Sequence, residues 1–372
     1  MSFTLPPKPK NGLGYHRMLS PTAAVRVSPL CLGAMNFGES WKDFMGECTK
    51  ETAEEMLDLF YENGGNFIDT ANNYQKGESE KWIGDWMKKR GVRDQMVVAT
   101  KFTTPYRTSF GDTENIANTG GNGTKSLHTS LQWSLNNLQT SYVDLLYVHW
   151  YDHVTSIPEL MQSLNVVVNA GKVLYLGASD TPAWYVAKAN QYARDHGLRQ
   201  FSVYQGKWSA AARDFERDII PMAISEGRGL APWGALGAGD FKSPSQRALG
   251  EGRVPRIAPS EAAAKVTVVL EKIAKDKDSL ITSVALAYVM QKTPYVFPVV
   301  GGRKVEHLKG NIEALSLVLS DDDVKAIEDA IPFDIGFPGN FLGKDASSSW
   351  MNAVGGHFQY VEGPKPIAPH GT

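Results

Sequence analysis

The chain has few cysteines and no long apolar run. Only Cys31 and Cys48 occur among its 372 residues, which excludes a disulfide framework and a four-ligand zinc site built from cysteine. No apolar stretch approaches the roughly 20 residues that span a bilayer, and the first ten residues lack a secretory apolar core. We therefore expect a cytoplasmic protein, with Cys31 as a small buried hydrophobe.

Neither sign of charge is in excess. The 38 Lys and Arg residues nearly balance 40 Asp and Glu, and the formal net charge is −2. This gives no electrostatic reason to expect nucleic acid or an anionic membrane as partner. Apolar residues make up 42% of the chain and charged residues 21%, which is typical of a globular protein with a sizeable core. The length suits one large barrel or two ordinary domains.

From residue 30 onward, short apolar runs alternate with segments of helical periodicity. The predicted strands are Leu30–Met35, Asn66–Asp69, Met96–Lys101, Val143–His149, Leu174–Ser179, Phe201–Gln205, Gly229–Trp233 and Val296–Val300. The predicted helices are Thr52–Asn63, Ser79–Arg90, Thr124–Gln139, Pro158–Ala170, Pro182–His196, Asp214–Ser225, Pro259–Lys292 (broken around 275–279) and Val305–Leu315. A hairpin over Met18–Val27 precedes them, and Ser320-Asp-Asp-Asp323 is an N-cap signature for one more helix to about Ala330.

Eight strands, each followed by a helical crossover, form a parallel sheet covered by helices. The count favours a closed (β/α)8 barrel over an open doubly wound sheet, and no Gly-x-Gly-x-x-Gly follows the first strand, where an open dinucleotide fold would place it. We expect a single α/β domain with its barrel core at about 30–315 and an extra helix and tail over 316–372. Three long segments lie on or near one rim: Phe102–Gly123, Gly234–Ala258 and the tail from Pro332.

Three predicted strands end on an ionisable side chain. They are Asp69, Lys101 and His149, and Tyr74 follows Asp69 by five residues. Parallel strands separated by helices bring these ends to one rim of the sheet, where barrel enzymes build their active sites. Asp, Tyr, Lys and His gathered there are the parts of a carbonyl-reducing site.

The order and spacing of several motifs resemble the aldo-keto reductase superfamily. These motifs are Leu30-Cys-Leu-Gly-Ala-Met35, Gly64-Gly-Asn-Phe-Ile-Asp-Thr-Ala71, Ala99-Thr-Lys101, Tyr142-Val-Asp-Leu-Leu-Tyr-Val-His149, Leu176-Gly-Ala-Ser179 and Gly301-Gly-Arg-Lys304 with His307 and Asn311. Three further segments look most like the fungal aryl-alcohol dehydrogenases, a branch that includes norsolorinic acid reductase-like proteins: 19–28, Asn72-Asn-Tyr74 and Gly336-Phe-Pro-Gly-Asn-Phe341.

The resemblance implies a TIM barrel that reduces carbonyls with a nicotinamide cofactor, by means of the tetrad Asp69, Tyr74, Lys101 and His149. Tyr74 is then the proton donor. Its ordinary pKa of about 10 is too high for efficient exchange at neutral pH, and we expect the ammonium of Lys101 to lower it. Asp69 would hold Lys101 charged, and His149 would donate to the substrate oxygen and orient the carbonyl.

The resemblance also implies a cofactor site at the later strand ends. Ser179, Asp180 and Gln205 correspond to contacts with the nicotinamide carboxamide, and Trp233 to an aromatic stacked on the ring. Asp180 and His307 replace the commoner Asn and Gln. The implied cofactor contacts, in full, are Gly33, Met35, Asp69, Ser179, Asp180, Gln205, Trp233, Gly234, Ala235, Leu236, Gly237, Gly239, Gly301, Gly302, Arg303, Lys304, His307 and Asn311.

The segment Gly301-Gly-Arg-Lys304 predicts NADPH rather than NADH. It leaves the eighth strand and opens a helix, whose backbone N–H groups favour an anion. Arg303 offers a planar fork for a phosphate, and Lys304 adds a point charge. Glu306 lies inside the predicted helix and could point away from the ribose.

An aromatic pocket is expected beside the tetrad, with an aryl aldehyde, ketone or alcohol as substrate. Trp41, Trp150 and His149 are the predicted substrate contacts, and Met35, Phe37, Tyr106, Phe110 and Trp208 could also line the pocket. His149 and His153 have the spacing of a helical metal pair, but they leave a strand, so the two rings should diverge and no metal is expected.

Two alternatives and the oligomeric state stay open. The chain could be a dedicated reductase of a polyketide intermediate, with poor activity on simple benzaldehydes. It could instead be a redox-sensing binding protein that turns over slowly, as the related potassium-channel beta subunits do. A homodimer is one option for the assembly.

Overall fold

In the computed structural model, which describes residues 5–108, 111, 114–243 and 260–369, all eight predicted strands form one parallel sheet. A hairpin, β1 (Arg17–Ser20) and β2 (Ala23–Val27), comes first. The sheet strands are β3 (Cys31–Gly33), β4 (Phe67–Asp69), β5 (Val97–Phe102), β6 (Val143–Val148), β7 (Val173–Ser179), β8 (Phe201–Gln205), β9 (Gly229–Leu230) and β10 (Val299–Val300). Their order is β10-β3-β4-β5-β6-β7-β8-β9. A parallel bridge between Leu230 and Val296 closes this order into the predicted (β/α)8 barrel.

Helices fill the crossovers and extend beyond the barrel. They are α1 (Lys42–Met45), α2 (Lys50–Glu62), α3 (Glu78–Arg90), α4 (Thr124–Asn137), α5 (Ile157–Asn169), α6 (Ala183–Asp195), α7 (Ile219–Glu226), α8 (Glu261–Asp276), α9 (Ile281–Lys292), α10 (Val305–Glu313), α11 (Asp321–Ala330), α12 (Gly339–Leu342) and α13 (Trp350–Gly355). The predicted N-cap of α11 is confirmed, because Ser320 and Asp323 form a reciprocal capping box. No helix of the described ranges is both long and apolar enough to cross a membrane.

Three predicted strand and helix boundaries differ from the observed ones by three or more residues. The seventh strand stops at Leu230 rather than Trp233, and the eighth is regular only from Val299, because Pro232 and Pro298 have no N–H for a ladder. The predicted helix Asp214–Ser225 begins only at Ile219. Its first residues form a separate 3₁₀ turn instead, tied by an Arg217–Asp214 ion pair of 2.9 Å.

Two apolar layers enclose the sheet. The inner layer fills the barrel and includes Phe67, Leu145 and Phe297, while the outer layer lies between strands and helices. The buried residues Leu19 and Val27 of the hairpin join the inner layer. The hairpin therefore closes the amino end of the barrel, which leaves the carboxyl rim for chemistry.

Candidate active site

The predicted ionisable strand ends meet at the carboxyl rim. Asp69 is the last residue of β4, Lys101 the next-to-last of β5, and His149 follows β6 directly. Tyr74 opens a 3₁₀ turn after β4. Parallel registry between these three neighbouring strands holds their ends together.

A buried ion pair joins Lys101 to Asp69. Lys101 Nζ donates to Asp69 Oδ1 at 2.5 Å and to the carbonyl of Thr70 at 2.8 Å. Gln205 Nε2 donates to the other Asp69 oxygen at 2.9 Å. Burial opposes the charge on Lys101, but Asp69 and Tyr74 outweigh it and raise the pKa of the ammonium. Lys101 is therefore held protonated.

Tyr74 lies directly above this ammonium, with Lys101 Nζ 5.0 Å from the centre of its ring. Burial raises the pKa of Tyr74, and the charge of Lys101 opposes that increase without cancelling it. The expected net lowering of the Tyr74 pKa was wrong, because removing the phenol from water outweighs the attraction of one ammonium. Tyr74 is held as a phenol, the form that can give a proton.

His149 completes the group, with its ring centre 5.9 Å from that of Tyr74. Burial and the charge of Lys101 lower the pKa of His149 well below its usual value, so the imidazole is neutral at physiological pH. Its Nδ1 lies 3.2 Å from Thr104 Oγ1. A neutral imidazole can still donate one hydrogen bond to a substrate oxygen.

Two tryptophans flank the tetrad. Trp150 stacks on His149 with 4.3 Å between ring centres, and Trp41 meets Tyr74 edge-on at 6.2 Å. Trp150 is 43% exposed, so its ring borders solvent beside the tetrad. The structure thus brings both predicted substrate tryptophans to the site.

The other predicted pocket aromatics that the structure describes are buried in the protein. Phe37 and Trp208 are fully buried, and Trp208 stacks on Phe215. Their predicted pocket role was wrong, since periodicity cannot separate a pocket aromatic from a core aromatic. Tyr106 is also buried, stacked on Trp133. Phe110 lies outside the described residues.

The predicted nicotinamide contacts also converge. Ser179 and Gln205 end adjacent strands and pair in register. Asp180 follows in the left-handed region with φ of +43°, and its Oδ2 accepts from Trp233 Nε1 at 3.2 Å and from Ser179 Oγ at 3.3 Å. Burial raises the pKa of Asp180, while Trp233, Ser179 and Lys101 oppose it.

A cavity of about 420 Å³ opens between the segment after β9 and the start of α10. The predicted cofactor contacts that line it are Leu236, Gly239, Gly301, Gly302, Arg303, His307 and Asn311. Gly234, Ala235, Gly237 and Lys304 are not part of its lining, and Lys304 is exposed at the N-cap of α10. Gly33 is the last residue of β3, and a Cβ added at Gly301 would meet its carbonyl oxygen at 3.1 Å. The half-buried Met35 follows β3, and its carbonyl accepts from Gln75 at 3.1 Å.

The chemistry of this cavity fits a phosphate-bearing cofactor. Asn36 lines it with a buried amide oxygen that has no hydrogen-bond partner among the described residues, an acceptor suited to a cofactor hydroxyl or amine rather than to its phosphates. Partial burial lowers the pKa of His307, and Lys304, Arg303 and Lys242 lower it further against the opposing charge of Glu306. Glu306 lines the cavity instead of pointing away from it, but the cations outnumber it, so the surroundings of His307 are electropositive. Gly237 adopts a left-handed φ of +77°, as the tight turn of the bordering loop requires.

Sequence reasoning missed several residues of the site. Thr104 and the cavity residues Asn36, Phe241 and Lys242 stand in loops without periodicity, and no local pattern marks them. In the described ranges no group of three or more His, Cys, Asp and Glu side chains could hold a metal.

Comparison with known proteins agrees with this geometry. The model of the aldo/keto reductase family matches residues 29–332. The chain belongs to the aldo/keto reductase family. It is therefore an oxidoreductase, and NADP(H) is the cofactor that this family uses.

Three proteins similar to this aldo/keto reductase come from fungi. Norsolorinic acid reductase B of Dothistroma septosporum is 56% identical, over 96% of this chain and 95% of the relative. An aryl-alcohol dehydrogenase of Pestalotiopsis microspora is 56% identical over 100% of this chain and 97% of the relative. Aryl-alcohol dehydrogenase [NADP(+)] of Phanerodontia chrysosporium is 46% identical over 98% of each chain. These names agree with the predicted branch of the superfamily.

Proposed function

We propose that this aldo/keto reductase interconverts aromatic aldehydes or ketones and their alcohols, with NADPH as hydride donor and Tyr74 as proton donor. The observation that carries the proposal is the enclosed Lys101–Asp69 pair beneath Tyr74. A phenol beside a fixed ammonium is suited to release a proton when a neighbouring oxygen gains negative charge. Bound NADPH supplies the hydride to the carbonyl carbon.

Each member of the tetrad then has one task. Tyr74 gives its proton to the carbonyl oxygen, and Lys101 stabilises the phenolate left behind. Asp69 keeps Lys101 charged and in place, because an unpaired buried ammonium would be costly. His149 donates an N–H to the same oxygen and orients the carbonyl. Alcohol oxidation runs through the same groups in reverse, with the Tyr74 phenolate as base.

The cofactor selectivity follows from the electropositive cavity. Arg303 lines the cavity and makes no hydrogen bond to the residues that the structure describes. Its planar guanidinium is therefore available for the 2′-phosphate of NADPH. Ser179, Asp180, Gln205 and Trp233 would hold the nicotinamide at the other end. Glycines at 301 and 302 permit close approach of the backbone to the cofactor.

The aromatic substrate class follows from Trp41 and Trp150. Their rings border the tetrad on two sides, and ring-on-ring contact adds about 0.5–1.5 kcal/mol beyond area burial. A second candidate is a dedicated reductase of a polyketide carbonyl. The relatives named norsolorinic acid reductase favour it. Because Trp150 is partly exposed to solvent, the side of the tetrad that it borders has space for a substrate larger than benzaldehyde.

NADPH oxidation against a panel of carbonyls tests both candidates. The aryl-alcohol proposal predicts that aromatic aldehydes exceed linear aldehydes of similar size in kcat/KM by a few-fold to about tenfold. Efficient turnover of a polycyclic aromatic ketone with poor turnover of benzaldehydes would select the second candidate. Equal or better activity on linear aldehydes would count against both.

A further inference from the structure

One hydroxyl connects the two stacked rings at the tetrad. Thr104 lies in the loop after β5, and its Oγ1 is 2.7 Å from Trp150 Nε1 and 3.2 Å from His149 Nδ1. The two rings are nearly parallel, at 12°. Thr104 therefore contacts both the stacking partner and the polar edge of the catalytic imidazole.

The direction of these hydrogen bonds follows from what each group can do. An indole N–H only donates, so Thr104 Oγ1 accepts from Trp150. The Thr104 hydroxyl can donate its one hydrogen, and among the described residues that it contacts, His149 Nδ1 is the available acceptor. A ring nitrogen that accepts carries no proton. The neutral imidazole then carries its hydrogen on Nε2. In the reverse arrangement, with Nδ1–H donating to the second lone pair of Thr104 Oγ1, the hydroxyl hydrogen would have no acceptor among the described residues.

The imidazole is also held by its backbone. The His149 N–H donates to Thr103 Oγ1 at 3.1 Å, and that hydroxyl donates to Asn122 Oδ1 at 2.5 Å. Asn122 Nδ2 in turn donates to the carbonyl of Trp150 at 2.9 Å. The backbone at His149 is thus fixed independently of Thr104. The contact of Thr104 acts on the imidazole ring of His149 alone.

We propose that Thr104 is a positioning residue that selects the Nε2–H tautomer of His149, so that an N–H rather than a lone pair faces the carbonyl oxygen. This inference rests on the proposed function for its consequence. In the opposite tautomer, the Nε2 lone pair would repel the oxygen that gains charge during reduction. The selection is present before substrate binds.

Nitrogen-15 NMR of the histidine-labelled protein tests the tautomer directly. The wild-type His149 should show an unprotonated Nδ1 and a protonated Nε2, with His149→Gln used to assign the signals. Thr104→Val removes the hydroxyl at nearly constant shape, and its His149 signals should move towards averaging between tautomers. Thr104→Ser should restore the wild-type pattern. Trp150→Phe removes the indole donor but not the hydroxyl, so it should also keep that pattern.

Kinetics supply the second readout. Thr104→Val should lower kcat/KM by about three- to tenfold, the scale of one hydrogen bond between neutral groups, with the Kd for NADPH unchanged, and Thr104→Ser should recover most of it. A protonated Nδ1 in the wild type, or an unaltered spectrum in Thr104→Val, would overturn the inference. Absence of reductase activity with the Nε2–H tautomer in place would instead contradict the proposed function.

Discussion

The guanidinium of Arg303 occupies the space that a side chain at residue 46 would fill. A Cβ added at Gly46 would overlap Arg303 Nη1, and Gly46 adopts a left-handed φ of +82° as the C-cap of α1. The neighbouring Met45 lines the same cavity as Arg303. The segment after β3 therefore fixes where the proposed phosphate-binding cation lies.

Arg303→Ala should weaken NADPH binding by about tenfold or more while leaving NADH nearly unaffected. A hydrogen bond to a charged group contributes roughly 1.5–3 kcal/mol, and NADH has no 2′-phosphate to lose it from. Fluorescence titration with both cofactors measures the difference. Lys309→Ala is the matched control, since Lys309 lies on α10, a few residues after Arg303, but outside the cavity lining. Equal weakening for both cofactors would mean that Arg303 does not read the phosphate.

Gly46→Ala should displace Arg303 and so weaken NADPH more than NADH. The added methyl also strains the backbone, because φ of +82° with ψ of +164° is a region that essentially only glycine adopts, at a cost of about 1–3 kcal/mol for another residue. Gly171→Ala also adds a methyl at a positive φ, +68°, but meets nothing within 4 Å, so it shows the effect of a positive-φ methyl without a clash. Titration of both cofactors should show selective loss only for Gly46→Ala. Identical behaviour of the two variants would contradict the steric argument.

Tyr74→Phe should retain NADPH binding and lose at least 10²- to 10⁴-fold in kcat, because general acid catalysis contributes on that order. The substitution deletes only the hydroxyl. Tyr142→Phe removes a hydroxyl bonded to Asp94, far from the tetrad in the fold, and should leave kcat unchanged. Stopped-flow or steady-state NADPH oxidation measures both. A Tyr74→Phe enzyme with most of its kcat would show that another group gives the proton.

Lys101→Met should move the pH profile of alcohol oxidation to higher pH. Oxidation needs the Tyr74 phenolate, so its rate rises as pH passes the Tyr74 pKa. Lys101 lowers that pKa against the effect of burial, and without the ammonium the pKa increases further. The rise in rate should therefore occur later, and an unchanged midpoint would make Lys101 merely structural.

A double variant separates this effect from instability. Lys101→Met alone leaves Asp69 buried and unpaired, and breaking such a pair costs about 3–5 kcal/mol. Combining it with Asp69→Asn should recover much of the free energy of unfolding. The midpoint of the oxidation profile should nevertheless stay above that of the wild type, because the attraction of Lys101 outweighs the repulsion from Asp69 at Tyr74.

The barrel and the tetrad were predictable because their signals are local. A buried parallel strand is a short apolar run, and a polar residue at its end projects from the rim whatever the loops do. Asp69, Lys101 and His149 could therefore be placed together from three independent runs. The capping box at Ser320 is equally local, since both partners lie within one helical turn.

The rest of the site depends on contacts between distant segments. Thr104 meets His149 across 45 positions of sequence, within a loop that has no periodicity. Gln75 is fully buried, yet it accepts from the N–H of Trp41 and donates to the carbonyl of Met35. Hydrogen bonds of this kind, between a buried side chain and the backbone of a distant loop, form only when the loops are folded. The Tyr74 pKa was also beyond sequence reasoning, because the burial that raises it is a property of the whole rim.

The proposed contact of Asp180 with the nicotinamide predicts a difference between the two redox states of the cofactor. Its carboxylate stands where Asn is commoner, with Oδ2 held by Trp233 and Ser179. The nicotinamide ring is positive in NADP⁺ and neutral in NADPH, so a carboxylate at its carboxamide should favour NADP⁺. Asparagine at this position keeps an oxygen for the Trp233 N–H and removes only the charge.

Asp180→Asn should therefore lower the affinity for NADP⁺ relative to NADPH by about fivefold, since two opposite unit charges a few ångströms apart in a water-like dielectric attract each other by roughly 1 kcal/mol. The pH dependence has a definite sign. Burial raises the Asp180 pKa, so the carboxylate is lost at a higher pH than for an ordinary Asp. As pH falls through that value, the wild-type preference for NADP⁺ should fade, while the ratio in Asp180→Asn stays flat. Titrating both cofactors between pH 4.5 and 8 decides it, because a ratio that is the same in both proteins at every pH would place Asp180 away from the nicotinamide.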